Sequence, residues 1–155
     1  LAGRIFSRLA NQEGRILLKA PPGMERSAYE GFKTFLRYEG TASVGNCSAC
    51  HSLSAFRDGK SHIVTNGGKA LPTPSLRNIR KRKVDLQAAL KIKLDVSRLK
   101  KSGKASRISD AYSVIKLNAK DVSNLIDFMK LLDDVSDENF REMILKASVL
   151  DTSHE

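Results

Sequence analysis

Cys47, Cys50 and His51 carry the densest chemistry in this chain: the run Cys47-Ser48-Ala49-Cys50-His51 puts two thiols and an imidazole into five consecutive residues. Two thiols three positions apart can add to the two vinyl groups of one porphyrin, while the adjacent imidazole turns under the ring to ligate iron. The pentapeptide therefore predicts one haem c, covalent through Cys47 and Cys50, with His51 as an axial ligand. The chain has 2 cysteines, so its whole thiol content goes to this task.

Three other chemistries use similar residues. A structural zinc site needs about four nitrogen or sulfur ligands, and beyond the motif the chain offers only His62 and His154. A thioredoxin-like redox pair wants a βαβ context around its cysteines, whereas Gly45-Asn46 and the polar stretch from Ser52 to Gly59 flank this one. A plain disulfide leaves the adjacent histidine unexplained.

At 155 residues the chain fits one domain with elaborated termini, and its 41% hydrophobic and 28% charged residues are ordinary for a soluble fold. Aromatic content is only 6%, with no Trp, so a buried porphyrin would supply large apolar surface that aromatic side chains usually provide. No run approaches the ~20 apolar residues that span a bilayer, so no transmembrane segment is expected. The opening Leu1-Ala2-Gly3-Arg4 lacks a signal-peptide plan. Haem is attached to such motifs outside the cytoplasm, so the expected location is periplasmic or otherwise extracytoplasmic, with a leader removed.

The net charge of +10 gathers in Arg77-Asn78-Ile79-Arg80-Lys81-Arg82-Lys83 and again from Lys91 through Lys104. Such a surface can steer an acidic redox partner, bind anionic lipid, or serve only as a solvated face. Nucleic acid is not expected, because no aromatic residue interleaves the basic runs and no recognition motif appears.

The elements around the motif read as helices. Leu1, Ile5, Phe6 and Leu9 suggest an amphipathic arm within 1–26, broken by Pro21-Pro22-Gly23. Ser27 and Glu30 form a capping-box pattern ahead of Phe32, Phe35 and Leu36, with Gly40 as terminator. The segment after the motif is punctuated by Asp58-Gly59, Asn66-Gly67-Gly68 and Pro72-Thr73-Pro74 and reads as irregular. Leu86, Ala89, Leu90 and Leu94 predict a helix near 85–94, and Lys100 to Ser109 a loop. Asn118 caps a helix from Ala119 to about Leu132, with Val122, Leu125, Ile126, Met129 and Leu132 on one face. Ser136 starts another from Asp137 to about Val149, striped by Phe140, Met143, Ile144 and Ala147. The predicted class is mainly α, with a haem domain over 27–135 and a helical extension over 136–155.

This order of elements resembles the class I cytochrome c fold. The segment from Ala28 to Asp134 more specifically resembles the C-terminal haem domain of the bacterial dihaem cytochrome c peroxidase and methylamine-utilisation family. The matching pieces are the haem motif, Pro74-Ser75-Leu76-Arg77-Asn78-Ile79, Ile115-Lys116-Leu117-Asn118, and the helix ending Phe128-Met129-Lys130-Leu131-Leu132-Asp133. Two departures stand out. The P-S-L-R-N segment runs into Arg80-Lys81-Arg82-Lys83 rather than an aromatic-rich stretch, and a second C-x-x-C-H is absent. The resemblance therefore implies a single-haem relative, not a complete dihaem peroxidase.

The sixth iron position decides between functions, since Met, His, an anionic oxygen or an open site each tune iron differently. The resemblance places the distal ligand just before the I-x-L-N stretch, where this chain carries Tyr112. The competing assignment for Tyr112 is a half-buried phenol bonded to a propionate or the backbone. Met129 is the generic alternative, although it lies on a core stripe. His62 is expected beside the site or on the surface rather than on iron. Arg77 is a candidate propionate partner through its planar fork, and Pro74 a candidate neighbour of His51.

The resulting expectation is a monohaem c-type cytochrome that carries electrons, alone or as part of a larger redox system. The rival expectation is a peroxidase-like haem enzyme or ligand sensor with a Tyr-ligated or open distal site. A third is a basic haem-containing module of a multisubunit complex.

Overall fold

The computed structural model describes residues 20–38, 40, 43–52, 56–63, 69–91 and 114–150. The expected arm within 1–19, the loop near 100–109 and Tyr112 lie outside them. The described part is mainly helical: α1 (Arg26–Leu36), α2 (Ala119–Asp134) and α3 (Asp137–Leu150), with a helical segment over 86–91. No helix among the described residues is long and apolar enough to cross a membrane.

Helix α1 starts at Arg26, with Glu25 at the N-cap and no side chain closing the cap. Ser27 thus lies inside the helix, not at its cap as the sequence pattern suggested. Glu30 instead pairs with Lys33 at 2.8 Å, one helical turn away, where oppositely charged side chains face each other. Entry into the helix is set by a backbone turn, the Met24 N–H donating to the Pro21 carbonyl at 3.0 Å.

Gly40 does not terminate α1, which ends at Leu36 with Arg37 as an extended C-cap; the N-caps expected at Asn118 and Ser136 are present. Asn118 and Asp121 form a reciprocal capping box at the start of α2: the Asp121 N–H donates to Asn118 Oδ1 at 2.9 Å and the Asn118 N–H to Asp121 Oδ2 at 2.7 Å. At α3 the Asn139 N–H donates to Ser136 Oγ at 3.1 Å. Asp85 accepts from the Ala88 N–H at 2.9 Å and so opens the 86–91 segment.

Packing follows from the helix stripes. Phe32, Phe35, Phe56, Phe128 and Phe140 are fully buried and mutually packed, with ring centroids from 5.2 to 6.4 Å apart. Five of the 6 phenylalanines thus meet in one place, which concentrates a scarce aromatic inventory in one core. Each such ring pair adds about 0.5–1.5 kcal/mol beyond the area it buries. Leu125 and Leu132 of α2 and Ile144 of α3 join the same cluster. Through Phe140 and Ile144 the C-terminal helix therefore shares one core with α1 and α2.

The irregular stretch after the motif contains a short hairpin that the sequence did not signal. β1 (Ser61–Ile63) pairs antiparallel with β2 (Ala70–Pro72), His62 opposite Leu71. Strands of three residues are too short to show an alternation.

Candidate functional site

The end of α1 delivers the chain into the Cys47-to-His51 motif. The Gly45 N–H donates to the Thr34 carbonyl at 3.1 Å and the Asn46 N–H to the Arg37 carbonyl at 2.9 Å, while Val44 and Lys116 exchange backbone hydrogen bonds of 2.9 and 2.7 Å. The segment 43–46 is thereby pinned between the last turn of α1 and the approach to α2. A Cβ on Gly45 would lie 2.5 Å from the Thr34 oxygen and 3.3 Å from Cys47 Sγ. Only glycine lets the backbone come this close.

Asn46 takes a left-handed conformation, φ 48°, which Asn tolerates better than most residues. It turns the chain into a 3₁₀ turn over Cys47–Ala49, closed by the His51 N–H on the Cys47 carbonyl at 2.8 Å. Cys47 opens this turn and Cys50 caps its end, its N–H on the Cys47 carbonyl at 3.2 Å. Both are half-buried.

His51 is 5% exposed, and its Nδ1 lies 2.9 Å from the Phe56 carbonyl oxygen. A carbonyl only accepts, so Nδ1 carries the proton and Nε2 carries the ring's basic lone pair. This arrangement fixes the tautomer of metal-binding histidines and raises their basicity. Two thiols on one turn beside a buried imidazole with its lone pair on Nε2 form a donor set that fits a covalent haem.

Arg77 directs Nη1 at the Leu132 and Val135 carbonyls and Nη2 at Asp137, so its fork grips the junction of α2 and α3. Its guanidinium carbon also lies 5.2 Å from the centre of the Phe56 ring. Nη1 and Nη2 are thus engaged at this junction, while Nε is buried without a hydrogen-bond partner among the described residues. Pro74 is exposed. Met129 is buried in the core cluster, as its stripe position implied.

His62 pairs with Asp58, Nε2 to Oδ2, at 2.6 Å. The Lys60 N–H donates to the same carboxylate at 2.9 Å. That bond, with His62 and Thr73 adding to it, holds the Asp58 carboxyl well below the usual carboxylate range. The ligand atoms of Cys50, Asp58 and His62 lie within 4.8 Å of one another, and all three residues are half-buried. Sequence reasoning missed Asp58; the four-residue spacing from His62 was its trace.

The basic run is largely engaged with the protein itself. Arg80 pairs with Asp134 at 2.6 Å and with Asp133 at 3.6 Å, and Arg82 donates to the Ser75 and Arg77 carbonyls. Asp133 also accepts from the Ile79 and Arg80 N–H groups at 3.1 and 2.9 Å. The turn over 77–83 is thus fastened to the end of α2, with Lys81 and Lys83 exposed on it. Comparisons with family models, curated proteins and solved structures gave no match.

Proposed function

We propose that this chain is a monohaem c-type cytochrome of the extracytoplasmic space, working as an electron carrier or as the electron-transfer part of a larger redox system. The observation that carries the reading is His51: a buried imidazole, Nδ1 on a backbone carbonyl, directly after two cysteines on one turn. When bound, haem supplies one-electron chemistry at iron. Cys47 and Cys50 hold the group, His51 presents Nε2 to it, and the Phe56 carbonyl keeps that nitrogen basic. His51 is itself buried, and burial lowers the local dielectric and makes each nearby dipole count for more. Tyr112 is the proposed distal ligand. Exposed Lys81 and Lys83, on a turn fastened by Asp133, would steer an acidic partner toward this edge of the molecule.

The distinguishing experiment is carbon monoxide binding to the reduced protein, read beside a peroxide turnover assay and the ferric spectrum of Tyr112→Phe. An electron carrier with a held sixth ligand binds carbon monoxide slowly and turns over no peroxide. Rapid binding with turnover assigns the chain to the peroxidase-like class instead. An unchanged spectrum in Tyr112→Phe removes the tyrosine from iron.

A second reading rests on the grouping of Cys50, Asp58 and His62. Thiolate, carboxylate and imidazole are the donors that Zn²⁺ takes, and the haem-free chain presents all three together. The two readings exclude each other at Cys50, whose sulfur is either a thioether or a thiolate. Co²⁺ titration of the haem-free chain decides: a thiolate-to-cobalt band that Cys50→Ser abolishes supports the metal site.

A further inference from the structure

We propose that helix α3 is a working part of the haem site: through Phe140 and the Arg77–Asp137 contact it holds Phe56 in the conformation whose carbonyl orients His51. The inference rests on the haem reading for its consequence at iron, but its geometry belongs to the polypeptide alone.

Phe56 has φ 50°, the left-handed region. For a bulky aromatic residue this is unfavourable, and it persists only where the surroundings over-determine it. The surroundings here are specific. The Phe56 ring is fully buried and meets Phe140 at 5.7 Å with the planes at 69°, Phe35 at 6.1 Å and Phe128 at 6.4 Å. The Arg77 guanidinium covers it at 5.2 Å. Two of these four contacts depend on α3: Phe140 belongs to it, and Arg77 is held by Asp137, its first residue, and by the carbonyls of Leu132 and Val135 just before it.

The same backbone twist that buries the Phe56 ring presents its carbonyl to His51 Nδ1 at 2.9 Å. Rotation about the Phe56 N–Cα bond carries ring and carbonyl together relative to the preceding chain, so a φ in the ordinary extended or helical range would take both away from their partners. Ring burial and histidine orientation are therefore one coupled device, with α3 supplying one wall of it. Phe140, Arg77 and Asp137 act through Phe56 and are positioning residues. Loosening the device weakens the Nδ1–H bond, lowers the basicity of Nε2 and reduces donation to iron, which disfavours the ferric state.

The test uses the full-length chain with Phe140→Ala, Phe140→Leu and Asp137→Asn, and it has two arms. In the haem-free protein, nitrogen-15 spectra of the imidazole report the His51 tautomer. The expected result is an Nδ1–H form in the wild type and a population of the other tautomer raised about threefold or more in Phe140→Ala, with partial recovery in Phe140→Leu. In the haem-loaded protein, redox titration is expected to show a higher potential in Phe140→Ala and Asp137→Asn than in the wild type. Should Phe140→Ala not fold, Asp137→Asn still reads both arms, because this side chain is 50% exposed and fills no core space. Folded variants with wild-type tautomer and wild-type potential would overturn the proposal. A protein that takes up no haem would overturn the haem reading alone, and the tautomer arm would still decide the role of α3.

Discussion

Gly31 of α1 lies directly against the backbone of Asn124 in α2: a Cβ placed on Gly31 would come within 2.0 Å of the Asn124 carbonyl oxygen and 2.9 Å of the Leu125 nitrogen. The two helices that bracket the Cys47-to-His51 motif in sequence thus cross at a point where no side chain fits between them. Their closeness lets Phe32 and Phe35 of α1 reach Phe128 of α2 at 5.2 and 5.3 Å.

Gly31→Ala is accordingly expected to push the helices apart and to destabilise the fold by about 3 kcal/mol, the upper part of the range for overpacking a core. The obstacle is backbone on a rigid helix, which cannot turn aside as a side chain can. Denaturant unfolding of the variant measures this directly. A loss under about 0.5 kcal/mol, the size of an ordinary surface substitution, would contradict the crossing geometry.

Gly45→Ala tests a different contact. Its new methyl would meet the Thr34 oxygen at 2.5 Å and Cys47 Sγ at 3.3 Å, so relief requires moving the motif away from the end of α1. The expected outcome is a lower fraction of chains carrying haem, read by intact mass, together with loss of stability in the haem-free chain. Full attachment in a variant of wild-type stability would show that the motif's position does not depend on Gly45.

Helices were legible where local pattern and tertiary packing agree. The stripes of α2 and α3 and the caps Asn118 and Ser136 appear in the structure as their spacing indicates, because each uses neighbours within one turn. Ser27 and Glu30 had the same spacing, yet Lys33 claims Glu30 and the N-cap falls two residues earlier, at Glu25. What the sequence hid was long-range or carried by backbone. Arg77 meets Asp137 across 60 positions, and no local signal records such a contact. The acceptor for His51 is a main-chain carbonyl, which any residue at position 56 possesses. Cys-x-x-Cys-His carries its expectation in residue types and spacing; Phe56, whose carbonyl faces His51, carries none.

Acid should selectively weaken the turn before the hairpin. The Lys60 N–H, with His62 and Thr73, holds the Asp58 carboxyl below its usual range. A depressed folded-state pKa means that the stabilisation is fully present above the unfolded value, about 3.9 for Asp, and is lost as pH falls through the lower folded value. Asp58→Asn keeps an acceptor but removes the charge. Unfolding midpoints of wild type and Asp58→Asn are therefore expected to differ most at pH 5 to 6 and to converge as pH is lowered below about 4. A difference that is constant or grows with acid would contradict the assignment.

The central claim is a porphyrin bonded to this polypeptide through both sulfurs of the motif. It is tested most directly by intact mass of the full chain, produced in an extracytoplasmic compartment with haem-attachment machinery and then extracted with acidified organic solvent, which removes haem that is not covalently held. The account predicts the polypeptide plus one haem, with attachment impaired in Cys47→Ala and Cys50→Ala. A colourless product with the mass of the bare chain would contradict it.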